Sequence, residues 1–297
     1  MKRRIMMLPV IPLMVFGLML ISLFQSAGVQ AATSTASPSQ HALGIIQNKV
    51  KAPTSNLIYH GGPVMAGASK DYAIFWEPTG SYVSPGYNKL IKRYFGDVGS
   101  SGLYHNNTQY TNSKGKSPQS SSLGGAWVDH SPYPSSTLSD AQIQQEATKA
   151  IKTKGWVANI HNNFFVFTAK NENICTSFGC SFTQWCAYHG AFGNTIYDTM
   201  PYVGTSLSTC WTGGKSPNNN VDADAVINVT SHEQMEAATD PHLNAWYDSS
   251  GSEIGDLCAW TFGHVNADGS NVTWNGHEYI VQQEWDNHSS SCVLTGP

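Results

Sequence analysis

Six cysteines lie between residues 175 and 292 of this 297-residue chain: Cys175, Cys180, Cys186, Cys210, Cys258 and Cys292. Their partners limit which folds the second half can adopt. The chain opens with "MKRR", an apolar run from Ile5 to Phe24, and "QSAGVQA", where Val29 and Ala31 fit a small-residue cleavage site. This pattern predicts a secretory signal peptide over residues 1–31. The competing reading is an uncleaved anchor; Pro9 and Pro12 and the cleavage-like ending favour removal. In an exported chain an even cysteine count points to three disulfides, although six cysteines allow about fifteen pairings. We expect the local set, Cys175 with Cys180, Cys186 with Cys210 and Cys258 with Cys292. With no Cys-x-x-Cys pair present, bridging is favoured over metal binding by cysteine.

The mature part, roughly 265 residues, is long enough for one large domain with its own core. Sixteen Lys and Arg against twenty Asp and Glu leave a formal charge of −4, without the clustered basic residues of a nucleic-acid binder. No later segment is apolar enough to cross a membrane, so no membrane is expected once the signal is removed. Residues 32–56, "ATSTASPSQHALGIIQNKVKAPTSN", are too polar to fold alone and are expected to form a flexible N-terminal arm. The domain then spans 57–297.

Within it, "DYAIFWEP" reads as a strand stopped by Pro78, and residues 87–95 as a short helix. The polar stretch "YHNNTQYTNSKGKSPQSSSLGG" reads as loop. In "LSDAQIQQEATKAIKTKGW", Ser139 and Gln142 have capping-box spacing and Gly155 can close the helix. "FFVFT" reads as a central strand, "IYDTMPYV" as another, and "VTWNGHEYIVQQEW" carries an Asn-Gly hairpin turn. Strands and helices in this mixed order predict an α+β fold.

"NNNVDADAVINVTSHEQMEAATDP" predicts a helix capped by Asp222 or Asp224, ended by Pro241, and buried on one side through Ile227, Val229, Met235 and Ala238. Four residues apart, His232 and Glu236 share a face, one turn of about 5.4 Å along the axis. Both can grip one cation. Glu233 points about 100° away, where the general base stands in a His-Glu-x-x-His helix. Here Glu236 replaces the second imidazole. A carboxylate oxygen is an accepted zinc ligand at about 2.0–2.2 Å, so zinc remains the expected ion. The added negative ligand lets calcium or manganese compete. For the third ligand, Asp256 in "SEIGDLC" ranks above His242. His189 in "WCAYHG" is a further candidate, as ligand or as an oxyanion-stabilising donor; Asp240 is expected to brace the helix end. Without a cation, His-Glu-x-x-Glu is a weak pattern found in ordinary acidic helices, but one that places like charges together at a cost. "YHGGP" is read as a turn at a strand start. Exposed Trp and Tyr in "NAWYD" and "WVDHSPYP" are candidates for stacking on sugar rings, against the commoner reading of Trp as core.

"IYHGGPVM", "WCAYHG", "MPYVG", "SHEQMEAATDPHLNAWYD", "EIGDLC" and "YIVQQEWDN" occur in an order that resembles the phosphate-induced protein family, whose plant members include EXORDIUM. The likeness spans about Leu57 to Cys292. It implies an extracellular or wall-associated protein linked in plants to cell expansion. The same block resembles zincin-type peptidases, with His232, Glu233 and Glu236 on the motif positions and Asp256 as third ligand. The expected architecture is therefore a zincin-like mixed sheet with an active-site helix and a disulfide-stabilised C-terminal part. The expected function is a secreted, zinc-dependent peptidase acting on peptide or protein, with His232, Glu236 and Asp256 on the metal and Glu233 and His189 in catalysis. The alternative is a non-catalytic extracellular protein that binds cell-wall polysaccharide or a protein partner.

Overall fold

Phe164, Phe165, Val166 and Phe167 are all buried, so the strand that carries them has no solvent face and must be central. The computed structural model describes residues 40–44 and 55–297, and the signal-peptide reading lies outside them. Six strands build the main sheet: β1 (Gln40–Gly44), β2 (Ala68–Trp76), β3 (Ser120–Asp129), β4 (Asn162–Thr168), β5 (Trp185–Phe192) and β6 (Thr195–Met200). They lie in the order β1-β5-β6-β4-β2-β3. From β6 to β3 the pairing is parallel, whereas β5 and β1 add antiparallel strands at the other edge.

Alternate residues of the central strands serve different cores. Ala73, Phe75, Phe165 and Phe167 face α1 (Tyr87–Asp97) and α3 (Val221–Thr239). Tyr72, Ile74, Phe164 and Val166 face Ile143, Ala147 and Ala150 of α2 (Asp140–Lys154). The result is a mixed sheet covered by helix on both faces. Each fully buried large apolar side chain contributes about 1.5–3 kcal/mol, enough to fix which face each residue takes.

Local signals hold where local physics decides. Ser139 and Gln142 form the capping box of α2, and Gly155 ends it in the left-handed region at φ 67°. Asn275 and Gly276, both at positive φ, turn the hairpin Val272–Trp274 and His277–Tyr279. The disulfides are Cys175–Cys180, Cys186–Cys210 and Cys258–Cys292, the local set.

Four expectations are corrected. Part of the N-terminal arm is a strand: β1 pairs with β5, and Leu43 is buried. The segment cannot fold alone, but the sheet edge supplies its hydrogen bonds. The polar run read as loop contains the start of β3, whose serines suit an edge strand with an exposed face. Third, α3 is capped by Asn220, whose side chain accepts from Ala223 N at 3.1 Å. Asp222 instead accepts from the Tyr202 hydroxyl at 2.6 Å, and Asp224 from Asn218 N at 3.0 Å. Last, α3 is buried on every side from Ala223 to Thr239, not on one. The β-branched residues of "VINVT" cost only a few tenths of a kcal/mol each in helix propensity, which this burial overrides.

A polar relay ties α3 to its neighbours. The Tyr94 hydroxyl of α1 donates to Gln234 Oε1 at 2.7 Å, and Gln234 Nε2 donates to Asp71 Oδ2 of β2 at 2.7 Å. Burial pushes Asp71 from 3.8 up to about 7, against the lowering effect of bonds from Ser121 and Gln234. The folded protein thus holds a proton that the unfolded chain releases, so Asp71 costs stability as pH rises from about 4 through about 7. Asp71→Asn should therefore be more stable than the wild type at pH 8, on the order of 1–3 kcal/mol, and should lose that advantage near pH 4. Thermal melts of both proteins across this range check it; parallel pH profiles would contradict it.

Candidate metal centre

Full burial of α3 carries its ionisable groups inside with its apolar ones. His232, Glu233 and Glu236 are each 0% exposed. One turn apart, His232 Nε2 and Glu236 Oε1 stand 2.9 Å from each other. The segment after the helix returns across their ends. Gly255 runs so close to the imidazole that a Cβ there would sit 2.5 Å from His232 Nδ1, so only glycine fits without displacing the ring. The next residue completes the contact: Asp256 N donates to Glu236 Oε1 at 3.1 Å, and Asp256 Oδ1 lies 3.7 Å from His232 Nε2. Cys258–Cys292 and the bond from Trp285 N to Ile254 O at 2.9 Å fix this return.

His189 enters from β5. Its Nδ1 lies 3.4 Å from Glu233 Oε2 and 3.5 Å from Glu236 Oε2. Its Nε2 lies 3.8 Å from Glu253 Oε1 and 3.4 Å from the Asp240 carbonyl oxygen. Cys186, three residues earlier on the same strand, anchors β5 to Cys210. The structure thus brings together all five expected site residues, His189, His232, Glu233, Glu236 and Asp256. Among the described residues the ligand atoms that lie within 4.8 Å of one another form two clusters, His189 with Glu236 and Glu253 and His232 with Glu233 and Glu236. Asp256 is in neither but reaches His232 Nε2 at 3.7 Å, and partly buried His242 is in neither. Asp240 braces the helix end, as expected, by accepting from Asn244 N and Ala245 N at 2.6 Å each.

Two acidic residues escaped the sequence reading. Glu253 shares a cluster with His189 and Glu236, with potential ligand atoms within 4.8 Å of one another. Its signal was present: it stands three residues before Asp256, whose Oδ2 accepts from Glu253 N at 3.1 Å. Glu284 is fully buried beside the same groups, and burial pushes its carboxyl well above the usual range. Nothing in "YIVQQEWDN" marks it.

Charge governs the protonation of this interior. Burial works against a charged His189, but Glu253, Glu233 and Glu236 outweigh it and hold its pKa well above 6.5. The same holds for His232, where Glu236, Asp256 and Glu233 overcome burial. Burial raises Glu233 despite the bond from His189, whereas at Glu236 the nearby imidazoles overcome burial and lower it. Adjacent carboxylates are thus driven apart, Glu236 toward the anion and Glu233 toward the proton-carrying form.

The donor set fits a cation. Neither ring nitrogen of His232 meets a well-aligned hydrogen-bond partner, despite the short approach of Glu236, and Glu236 Oε2 also lacks one. Unsatisfied buried polar atoms are costly, about 1–3 kcal/mol each, and a shared divalent ion would satisfy several at once. One imidazole with two carboxylates suits zinc; the further carboxylates keep calcium and manganese within reach.

No family model matches the chain. It is similar to two proteins of Arabidopsis thaliana. Protein EXORDIUM-like 5 is 24% identical over 306 residues, covering 86% of this chain and 82% of that protein. Protein EXORDIUM-like 3 is 26% identical over 294 residues, covering 82% and 85%. Likeness over most of the chain in both cases supports kinship with the EXORDIUM-like proteins.

Proposed function

We propose that the chain is a secreted, metal-dependent peptidase of zincin-like architecture, with zinc held by His232, Glu236 and Asp256. The observation that carries this reading is the convergence of those three side chains around a His232 without aligned partners, with Glu233 beside them on the same helix. Zinc bound there supplies a Lewis acid for the peptide carbonyl and for water. With a dication beside it, Glu233 stands as the carboxylate, accepts a proton from the attacking water and returns it to the departing amine. His189, with Nδ1 3.4 Å from Glu233 Oε2, orients Glu233 and is the imidazole placed to donate to the developing oxyanion. The substrate is a peptide or protein outside the cell.

A second reading draws on the complete burial of the cluster, which suits an ion kept for structure, and on an aromatic surface elsewhere. There Tyr59 lies 5.3 Å from Trp246 on two short paired strands, and His60, just past the first, stacks on Tyr247 at 3.6 Å. Such a face suits a cell-wall polysaccharide. Trp246→Ala should then weaken retention on insoluble glycan while Glu233→Gln leaves it unchanged; failure of the wild type to bind any glycan removes this reading.

For the peptidase, elemental analysis of purified protein should find about one zinc per chain, lost in His232→Ala. Chelation should lower the melting temperature, since an ion bound only by the folded state stabilises it by mass action. Glu233→Gln should keep the metal yet cleave a peptide library about 10²–10⁴-fold more slowly. A wild-type protein that binds no ion, or cleavage unchanged in Glu233→Gln, would overturn the assignment.

A further inference from the structure

The edge strand beside His189 comes from the N-terminal arm. Residues 40–44 come from a polar segment that cannot fold alone, and they lie antiparallel along the outer edge of β5. Gln40 faces Gly190, His41 faces His189, Ala42 faces Tyr188 and Leu43 faces Ala187. Backbone pairing of this kind is how a sheet edge captures an extended peptide, with pockets for alternate side chains adding specificity. The contacts of β1 follow that pattern. Leu43 is wholly buried in the main core.

The pairing also breaks at a telling point. A register shift separates Leu43 from Gly44. There the Leu43 amide lies 3.4 Å from Glu233 Oε1, and the Gly44 carbonyl accepts from Trp260 Nε1 at 3.0 Å. Both polar contacts use backbone atoms that any extended peptide presents. The Trp260 indole also lines an apolar cavity of about 450 Å³ with Phe262, Val265 and Ile280, so a longer peptide finds apolar space beside the same ring.

We propose that the β5 edge beside Glu233 is a binding groove for an extended peptide carrying a small residue followed by a branched aliphatic one, and that residues 40–44 occupy it as an internal competitor. Binding in the groove stands on the pairing and burial alone; that the bound peptide is a substrate rests on the peptidase reading. A strand on the same chain competes at an effective concentration that a separate peptide must exceed, so the intact chain blocks its own site until the strand detaches.

The test uses the full-length chain and a fluorescent peptide of residues 38–46. Leu43→Asp puts a carboxylate into the apolar core that Leu43 fills and should expel the strand. Peptide anisotropy should then show at least tenfold tighter binding to Leu43→Asp than to wild type, and none by a peptide carrying the same Leu→Asp change. Equal affinity for the two proteins, or no binding by a Leu43→Asp chain that melts cooperatively, overturns the proposal. Hydrogen exchange on the unaltered wild type gives a second measure if the variant misfolds. Amides 41–44 should exchange at least tenfold faster than those of β4; equal protection overturns a displaceable strand. Repeating the peptide experiment with Glu233→Gln added separates the two readings. Peptide bound but never cleaved by either chain keeps the groove and removes the peptidase. Cleavage of unrelated peptides without tighter binding by Leu43→Asp removes the groove alone.

Discussion

Burying α3 on all sides is the constraint on which the rest of the structure depends. A helix with one solvent face can point its charged residues outward at little cost. Here His232, Glu233 and Glu236 have no outward direction, because the sheet lies on one side and the disulfide-pinned C-terminal segment on the other. The interior must supply countercharge or a cation, since an unpaired buried charge costs several kcal/mol. His189 supplies part of that countercharge, whereas Glu253 and Asp256 add carboxylates and strengthen the need for a cation. Gly255 is the steric condition that lets Asp256 arrive, because any side chain there would strike the His232 ring.

The mixed topology follows from the same demand. The parallel strands β6, β4, β2 and β3 form a doubly covered platform in which every residue of β4 is buried. The antiparallel hairpin of β5 and β6 then returns the chain so that His189 faces Asp198 of β6 across the pairing and the acidic face of α3 beyond it. Had β5 been added in parallel, its side chains would meet the helix in another register and His189 would not lie opposite both Glu233 and Glu236. The Cys186–Cys210 bridge fixes this strand at the residue three before the imidazole.

What was legible in the sequence was what neighbours in sequence decide. Ser139 with Gln142, Asn275 with Gly276, and "FFVFT" each specify a local geometry through capping, positive φ or the absence of a polar face. All three disulfides join cysteines at sequence separations of 5, 24 and 34, so short-range pairing was a sound guide. The spacing of His232 and Glu236 displayed the site's main axis for the same reason. Non-local choices were hidden. The serines at the start of β3 look like loop until an edge position explains them. Asn220 takes the cap of α3 because the helix begins at Val221, which leaves Asp222 and Asp224 inside its first turn, bonded to Tyr202 and Asn218, partners that no helix signal reveals. Glu284 joins the cluster only through the path of the C-terminal segment.

β1 shows the limit most clearly. Composition says correctly that "QHALG" cannot fold alone, and wrongly suggests that it stays outside the fold. The difference is a partner: the unsatisfied edge of β5 provides backbone bonds, and one leucine provides the apolar burial. A single fully buried leucine is worth about 1.5–3 kcal/mol, against roughly 1–2 kcal/mol of backbone entropy for each residue ordered. Without the ladder bonds, five residues would not stay in place on that term alone. The strand so held lies beside the buried acid-imidazole cluster, with the Leu43 amide 3.4 Å from Glu233 Oε1. On the competitor proposal, its release, and not the platform beneath, sets how accessible Glu233 is to anything outside the fold.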